Sequence, residues 1–175
     1  MRPRLLVLLI VAVISGVVAG FVGQATAGKG KTSIARSQRV VFGPCPIPQR
    51  YRPAFELAAR ETRLPLALLA AVANVESQFR PDARSTAGAH GLLQVLPSTA
   101  TSLHLDVSTP EKNVLAGARY LRMLFDRFHS ADLALAAYNA GPTAVDKAGG
   151  VAPNKASIDY VGEVTSLWRS LNGCR

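Results

Sequence analysis

Pro65-Leu66-Ala67-Leu68-Leu69-Ala70-Ala71-Val72-Ala73-Asn74-Val75-Glu76-Ser77-Gln78-Phe79-Arg80-Pro81 is the stretch on which the fold turns. Leu68, Val72, Val75 and Phe79 recur at three- and four-residue intervals, which draws one apolar stripe along a helix. Pro65 suits a first helical turn, and Pro81 disfavours helical backbone at Arg80. The spacing predicts a helix from Pro65 to Phe79. At 100° per residue, Glu76 falls about 70° from the middle of the stripe, among Leu69, Val72 and Ala73. A carboxylate at such a border is partly removed from water, which raises its pKa. A raised pKa suits a general acid working near neutral pH. The same position also suits a plain ion pair with Arg80, four residues on. Helix geometry alone leaves both readings open.

Outward from this helix the chain reads as mainly α. Pro53 opens a helix running to about Thr62. Pro97-Ser98-Thr99-Ala100 starts a short one. Thr109-Pro110-Glu111 is an N-cap with proline in the first turn, and from there Val114, Gly117, Ala118, Leu121, Leu124, Phe125 and Phe128 mark an amphipathic helix over about 110–129. Ser130-Ala131-Asp132 caps another, ending near Asn139. Gly141-Pro142 starts a short helix that stops at Gly149-Gly150. A last helix, about 156–171, puts Val161, Val164, Trp168 and Leu171 on one face. No segment alternates with period two for long, and residues 45–175 are enough for one core. The prediction is a single helical domain after an N-terminal leader.

Composition narrows the class. Apolar residues are 49% and charged residues 18%, too little charge and too much core material for a disordered polyelectrolyte. The formal charge is +9, but all 11 acidic residues lie after Pro44, while the first 44 residues hold six basic residues and no acid. Residues 45–175 carry 14 basic and 11 acidic groups, a net of +3. No basic stripe interleaved with aromatics runs along the domain, so nucleic-acid binding is not expected. His90, His104 and His129 stand in no metal-ligand spacing, and no metal or cofactor is expected.

Arg2 and Arg4 precede an uncharged run, Leu5–Val22, of 18 residues, and small residues at Ala25 and Ala27 follow. This reads as a signal peptide over 1–27 cleaved after Ala27. The run is also just long enough for a retained membrane anchor, the second reading. Under either, the rest of the chain is exported. Residues 28–44 read as a flexible basic linker, and 45–175 as the folded domain. Cys45 opens that domain and Cys174 nearly closes the chain. In an oxidising compartment two thiols at adjacent domain termini tend to pair. A Cys45–Cys174 bridge is therefore predicted, the alternative being free or intermolecular cysteines.

After Glu76-Ser77 comes Ser85-Thr86-Ala87-Gly88-Ala89-His90-Gly91-Leu92-Leu93-Gln94-Val95-Leu96-Pro97-Ser98-Thr99-Ala100. Ala137-Tyr138-Asn139-Ala140-Gly141 follows, with Asn113-Val114-Leu115-Ala116-Gly117 and Tyr120-Leu121 between them and Tyr160-Val161 near the end. These motifs, in this order, resemble the soluble-type lytic transglycosylase catalytic domain, with Leu93 where methionine is usual. The resemblance covers roughly Tyr51 to Leu171.

It implies a goose-type lysozyme-like fold and cleavage of the peptidoglycan bond between N-acetylmuramic acid and N-acetylglucosamine. Glu76 would act as acid and then as base, leaving a 1,6-anhydro ring. Ser77 would bond the Glu76 carboxylate or the loop. Gln94 would bind sugar. Tyr138 would line the cleft, Asn139 would cap its helix or touch substrate, and Tyr160 would lie in cleft or core. Gly88 and Gly91 would serve backbone conformation and close approach. A hydrolytic muramidase, the runner-up, needs a second carboxylate, for which Asp82, Asp106 and Asp159 are the candidates. A non-catalytic wall-binding module of the same fold is a third reading. The expected partner is the peptidoglycan strand, and the expected state a monomer.

Overall fold

The structure is a computed structural model, and it describes residues 45–171, 173 and 174. The leader over 1–27 and the linker over 28–44 lie outside the described residues. Among the described residues seven helices follow in order: α1 (Arg52–Thr62), α2 (Leu66–Ser77), α3 (Pro97–Ser102), α4 (Pro110–Phe128), α5 (Ala131–Ala140), α6 (Pro142–Ala148) and α7 (Lys155–Ser170). Among the described residues the only extended pairing is two isolated bridges around His90, to Arg84 and to Val95. The class is mainly α, as the periodicity predicts.

The starts follow the capping chemistry. The Thr109 hydroxyl accepts from the Lys112 amide, Ser130 from Leu133, and Asn154 from Ser157. Proline occupies the first turn of α1, α3, α4 and α6. Two details differ from the sequence reading. α2 stops at Ser77, because Gln78 and Phe79 both take left-handed backbone (φ 52° and 59°) before the chain reaches Pro81. Their amides return to the carbonyls of Asn74 and Ala73, a Schellman-type closure. The Phe79 ring then turns inward against Phe55, with centroids 6.0 Å apart, edge to face.

The second difference concerns the stripe itself. Leu66 to Ala73 are buried all round the helix, which suits a run without a polar side chain. α2 is a central helix, packed against α7 and α1, and not an amphipathic surface helix. Glu76 therefore sits where a buried helix emerges, not beside a solvated face. Around α2, fully buried Phe55, Leu121, Leu124, Leu135 and Val164 complete the core, each large side chain contributing about 1.5–3 kcal/mol by burial.

Cys45 and Cys174 are bonded, with Cα atoms 4.9 Å apart across 129 residues of sequence. The bridge ties the segment entering α1 to the chain leaving α7. Replacing both cysteines by serine is expected to lower the unfolding free energy by about 2–5 kcal/mol. Urea unfolding of the two proteins side by side measures this, and coincident midpoints would show that the packing of Ile47, Tyr51 and Leu171 holds the termini without help.

Candidate active site

Glu76 is in the last turn of α2 and is only partly exposed. Tyr160, 7% exposed on α7, donates its hydroxyl to Glu76 Oε1 at 2.7 Å. The α2–α7 packing makes this contact between residues 84 positions apart. Burial pushes the Glu76 carboxyl up to about 7, against the Tyr160 hydrogen bond, which lowers it. Burial first, and then the charge of Glu76, hold the Tyr160 phenol well above its ordinary value. The phenol thus stays a donor at neutral pH. Arg80 does not pair with Glu76, because its Nε donates to the Ser77 carbonyl at 3.1 Å.

The loop between α2 and α3 closes over this turn. The Ser77 hydroxyl, buried, lies 2.8 Å from the Leu92 carbonyl and 3.0 Å from that of Ala73. Of its two expected partners, it takes the loop and not the carboxylate. The Leu93 amide donates to Asn113 Oδ1 at 2.9 Å, and the Leu93 carbonyl accepts from the Tyr138 hydroxyl at 2.7 Å. Asn113 Nδ2 donates to the His90 carbonyl at 2.9 Å. The loop backbone is therefore held from α2, α4 and α5 together. Gly88 and Gly91 have φ of 84° and 82°, where any side chain is strained. The close approach at Gly91 is to Asn113, whose Cγ would lie 2.5 Å from an added Cβ.

Gln94 has left-handed backbone (φ 44°), and its Nε2 donates to the carbonyls of Ala83 and Gly91. Its amide nitrogen is spent on the loop, which leaves the carbonyl oxygen for any ligand. Beyond it lies a cavity of about 250 Å³ walled by Gln94, Leu96, Thr99, Tyr120, Tyr138 and Asn139, among others. Asn139 is exposed there, and the cap of α5 is Gly141, so Asn139 is not the cap. Tyr138 belongs to both places: it walls the cavity, and after burial the charge of Glu76 is the next cause raising its phenol.

Two residues of the site stand in the quoted motifs but were given no role from the sequence. Asn113 is 1% exposed; a lone amide on the buried face of α4 was its available signal. Tyr120 stands at 5.4 Å from the Tyr138 ring and lines the cavity; its signal was its place in the Tyr120-Leu121 motif. No second carboxylate enters the causes of the Glu76 shift. Asp106 pairs with Lys112, which with Ser108 holds it well below the carboxylate range. Asp159 pairs with Lys155, and Asp82 is exposed. No cluster of His, Cys, Asp or Glu among the described residues could hold a metal.

Residues 53–161 match the family model of the transglycosylase SLT domain. The chain belongs to this family. The SLT domain here is 40% identical over 116 residues to membrane-bound lytic murein transglycosylase F of Maricaulis maris, covering 62% of this chain and 25% of that protein. It is 32% identical over 108 residues to the soluble lytic murein transglycosylase of Escherichia coli K12, covering 55% of this chain and 17% of that one. The chain thus spans a quarter or less of the length of these relatives. The crystal structure of the 70 kDa soluble lytic transglycosylase SLT70 from Escherichia coli superposes with a TM-score of 0.63 at 25% identity, over 70% of this chain and 24% of that one. An inactive variant of the Pseudomonas aeruginosa lytic transglycosylase Slt gives 0.60 at 28% identity, over 73% and 25%. The lysozyme-like helical fold follows from this likeness.

The Glu76 carboxyl ionises near 4.5 when unfolded and near 7 in this site. Between those values the folded SLT domain keeps a proton that the unfolded chain releases, so stability falls as pH rises through the window, by about 3 kcal/mol in total. Glu76→Gln removes the titration. Its stability advantage over the parent is expected to be larger at pH 8 than at pH 4.5, read by urea unfolding at both. An equal difference at the two pH values would mean that the carboxyl is not held out of water.

Proposed function

We propose that the chain is an exported peptidoglycan lytic transglycosylase, with 1–27 as signal peptide or membrane anchor, 28–44 as linker and 45–175 as the catalytic domain. The observation that carries this is Glu76, a single desolvated carboxyl with its pKa near neutral, held by Tyr160 inside an SLT domain. The names of the relatives, soluble and membrane-bound lytic murein transglycosylases, support the substrate class and the exported location. The leader adds its Arg2, Arg4 and apolar run to the same reading. The domain acts as a monomer on single glycan strands.

The chemistry runs through one residue. Protonated Glu76 gives its proton to the oxygen joining N-acetylmuramic acid to N-acetylglucosamine, and the C1–O bond breaks. Positive charge grows at C1 and the ring oxygen. The Glu76 carboxylate then takes the proton from the C6 hydroxyl of the muramic acid, and O6 bonds to C1. The 1,6-anhydro ring forms, no water is consumed, and Glu76 ends protonated as it began. A carboxyl with a pKa near the working pH serves both half-reactions. The nucleophile belongs to the substrate, so the reaction asks for no second carboxylate, in accord with the surface ion pairs that occupy Asp106 and Asp159. A hydrolase needs such a group to hold its water. Tyr138, Asn139 and the Gln94 oxygen line the sugar cleft. Tyr160 keeps the Glu76 carboxyl in place, and Ser77 fixes the loop above it.

Purified peptidoglycan treated with the protein should release muropeptides lighter by one water than hydrolysis products, as read by mass spectrometry. Full reducing ends would replace the lyase with a hydrolase, and no release from intact protein would leave a wall-binding module. Glu76→Gln should abolish release while wall binding persists. The rate should fall as pH rises through about 7, where Glu76 loses its proton. Tyr160→Phe removes the hydrogen bond that lowers this pKa, so it should move the alkaline limb to higher pH while reducing the rate. A limb that stays in place would remove Tyr160 from the control of Glu76.

A further inference from the structure

Gly117 is buried in the middle of α4. Its backbone is not in the left-handed region, so conformational freedom does not account for it, and a mid-helix glycine costs about 1 kcal/mol against alanine. Space accounts for it. A Cβ at Gly117 would lie 2.6 Å from Leu93 Cβ, 2.7 Å from Leu93 Cδ1 and 2.9 Å from the Tyr138 hydroxyl oxygen. Those are the two partners of the 2.7 Å bond from the Tyr138 hydroxyl to the Leu93 carbonyl. One turn earlier on α4, Asn113 holds the Leu93 amide, and residues four apart share a helix face. The same face thus grips the loop with Asn113 and lets it settle against bare backbone at Gly117. On the far side of the loop, the Leu92 carbonyl meets Ser77, next to Glu76.

We propose that Gly117 is a positioning residue of the reaction: its missing side chain sets where the Tyr138 phenol and the Leu92–Leu93 backbone stand relative to Glu76. This rests on the lytic transglycosylase reading above. Gly117 acts through Leu93 and Tyr138 and not by contact with substrate. An added methyl moves Leu93 and Tyr138 together, because their hydrogen bond couples them, and the displacement reaches the catalytic turn through Ser77.

The test is Gly117→Ala in the full chain, with release of muropeptides from purified peptidoglycan followed for kcat and KM. A displacement of a few tenths of an ångström to one ångström predicts a fall in kcat on the order of 100-fold, with the smaller part of the loss in KM. Helix propensity alone predicts the opposite direction, since alanine favours α4. Tyr138→Phe removes the hydroxyl that the methyl meets, so Gly117→Ala should cost less in that background than in the parent. A merely structural glycine gives losses that multiply across the two backgrounds, tracks the folded fraction by circular dichroism, and overturns the proposal. So does a folded Gly117→Ala protein with kcat within about twofold of the parent.

Should Gly117→Ala not fold, it is made in Leu93→Ala, where the Leu93 Cδ1 contact is gone. The proposal then expects kcat well below that of Leu93→Ala alone, and equal values overturn it. A parent protein that releases nothing sinks the lytic transglycosylase reading and this inference with it. An active parent with an unaffected glycine variant sinks this inference only.

Discussion

The hydroxyl of Tyr160 meets Glu76 Oε1 at 2.7 Å across the α2–α7 interface, where burial holds that carboxyl largely out of water. A buried carboxyl keeps its proton up to neutral pH only where its charged form has few donors, and Glu76 has Tyr160 as its hydrogen-bonding cause of stabilisation. The balance of one donor against burial leaves the pKa close to neutral rather than far above it. α2 makes this possible by being buried along Leu66 to Ala73, so that its last turn stands at the edge of the core. The left-handed pair Gln78 and Phe79 ends the helix at Ser77 and turns the chain into the loop.

That loop is fixed by polar contacts that are individually ordinary and jointly specific. Its Leu92 and Leu93 carbonyls accept from Ser77 and Tyr138, and its Leu93 amide reaches Asn113. Each such bond is worth about 1 kcal/mol net, but leaving any of these buried groups unpaired costs about 1–3 kcal/mol. The asymmetry gives the loop one low-energy position. The exposed ion pairs, such as Arg119 with Glu61 and Arg127 with Asp146, contribute much less. The loop's order comes from buried side chains on three helices.

Local chemistry made the helices legible. Thr109, Ser130 and the prolines at helix starts are read by backbone groups within four residues of them, so their effect shows in the local sequence. The end of α2 was less legible, because nothing in Gln78-Phe79 forces positive φ; Phe79 goes there to reach Phe55. Glu76 was legible as a border carboxylate, but not its partner. Tyr160 is 84 residues away, and the sequence left it between cleft and core. Gln94 illustrates the limit differently. An amide that can bind a sugar can equally bind its own loop, and only the fold tells which hydrogens are already taken. Gly117 was counted as one more small apolar residue of the α4 stripe, although the atoms that require it belong to a distant loop and helix.

The energetics of the site also bear on the bridge between Cys45 and Cys174. Keeping Glu76 ionised in the fold above neutral pH sets about 3 kcal/mol against stability. A domain of this size has a net stability of only about 5–15 kcal/mol. A carboxyl held near neutral pH therefore consumes a substantial share of that margin as pH rises through about 7. The bridge joins the chain leaving α7, the helix that carries Tyr160, to the start of α1. By restricting the unfolded chain it returns about 2–5 kcal/mol, which offsets the cost of the buried carboxyl without adding any group to the turn that carries Glu76.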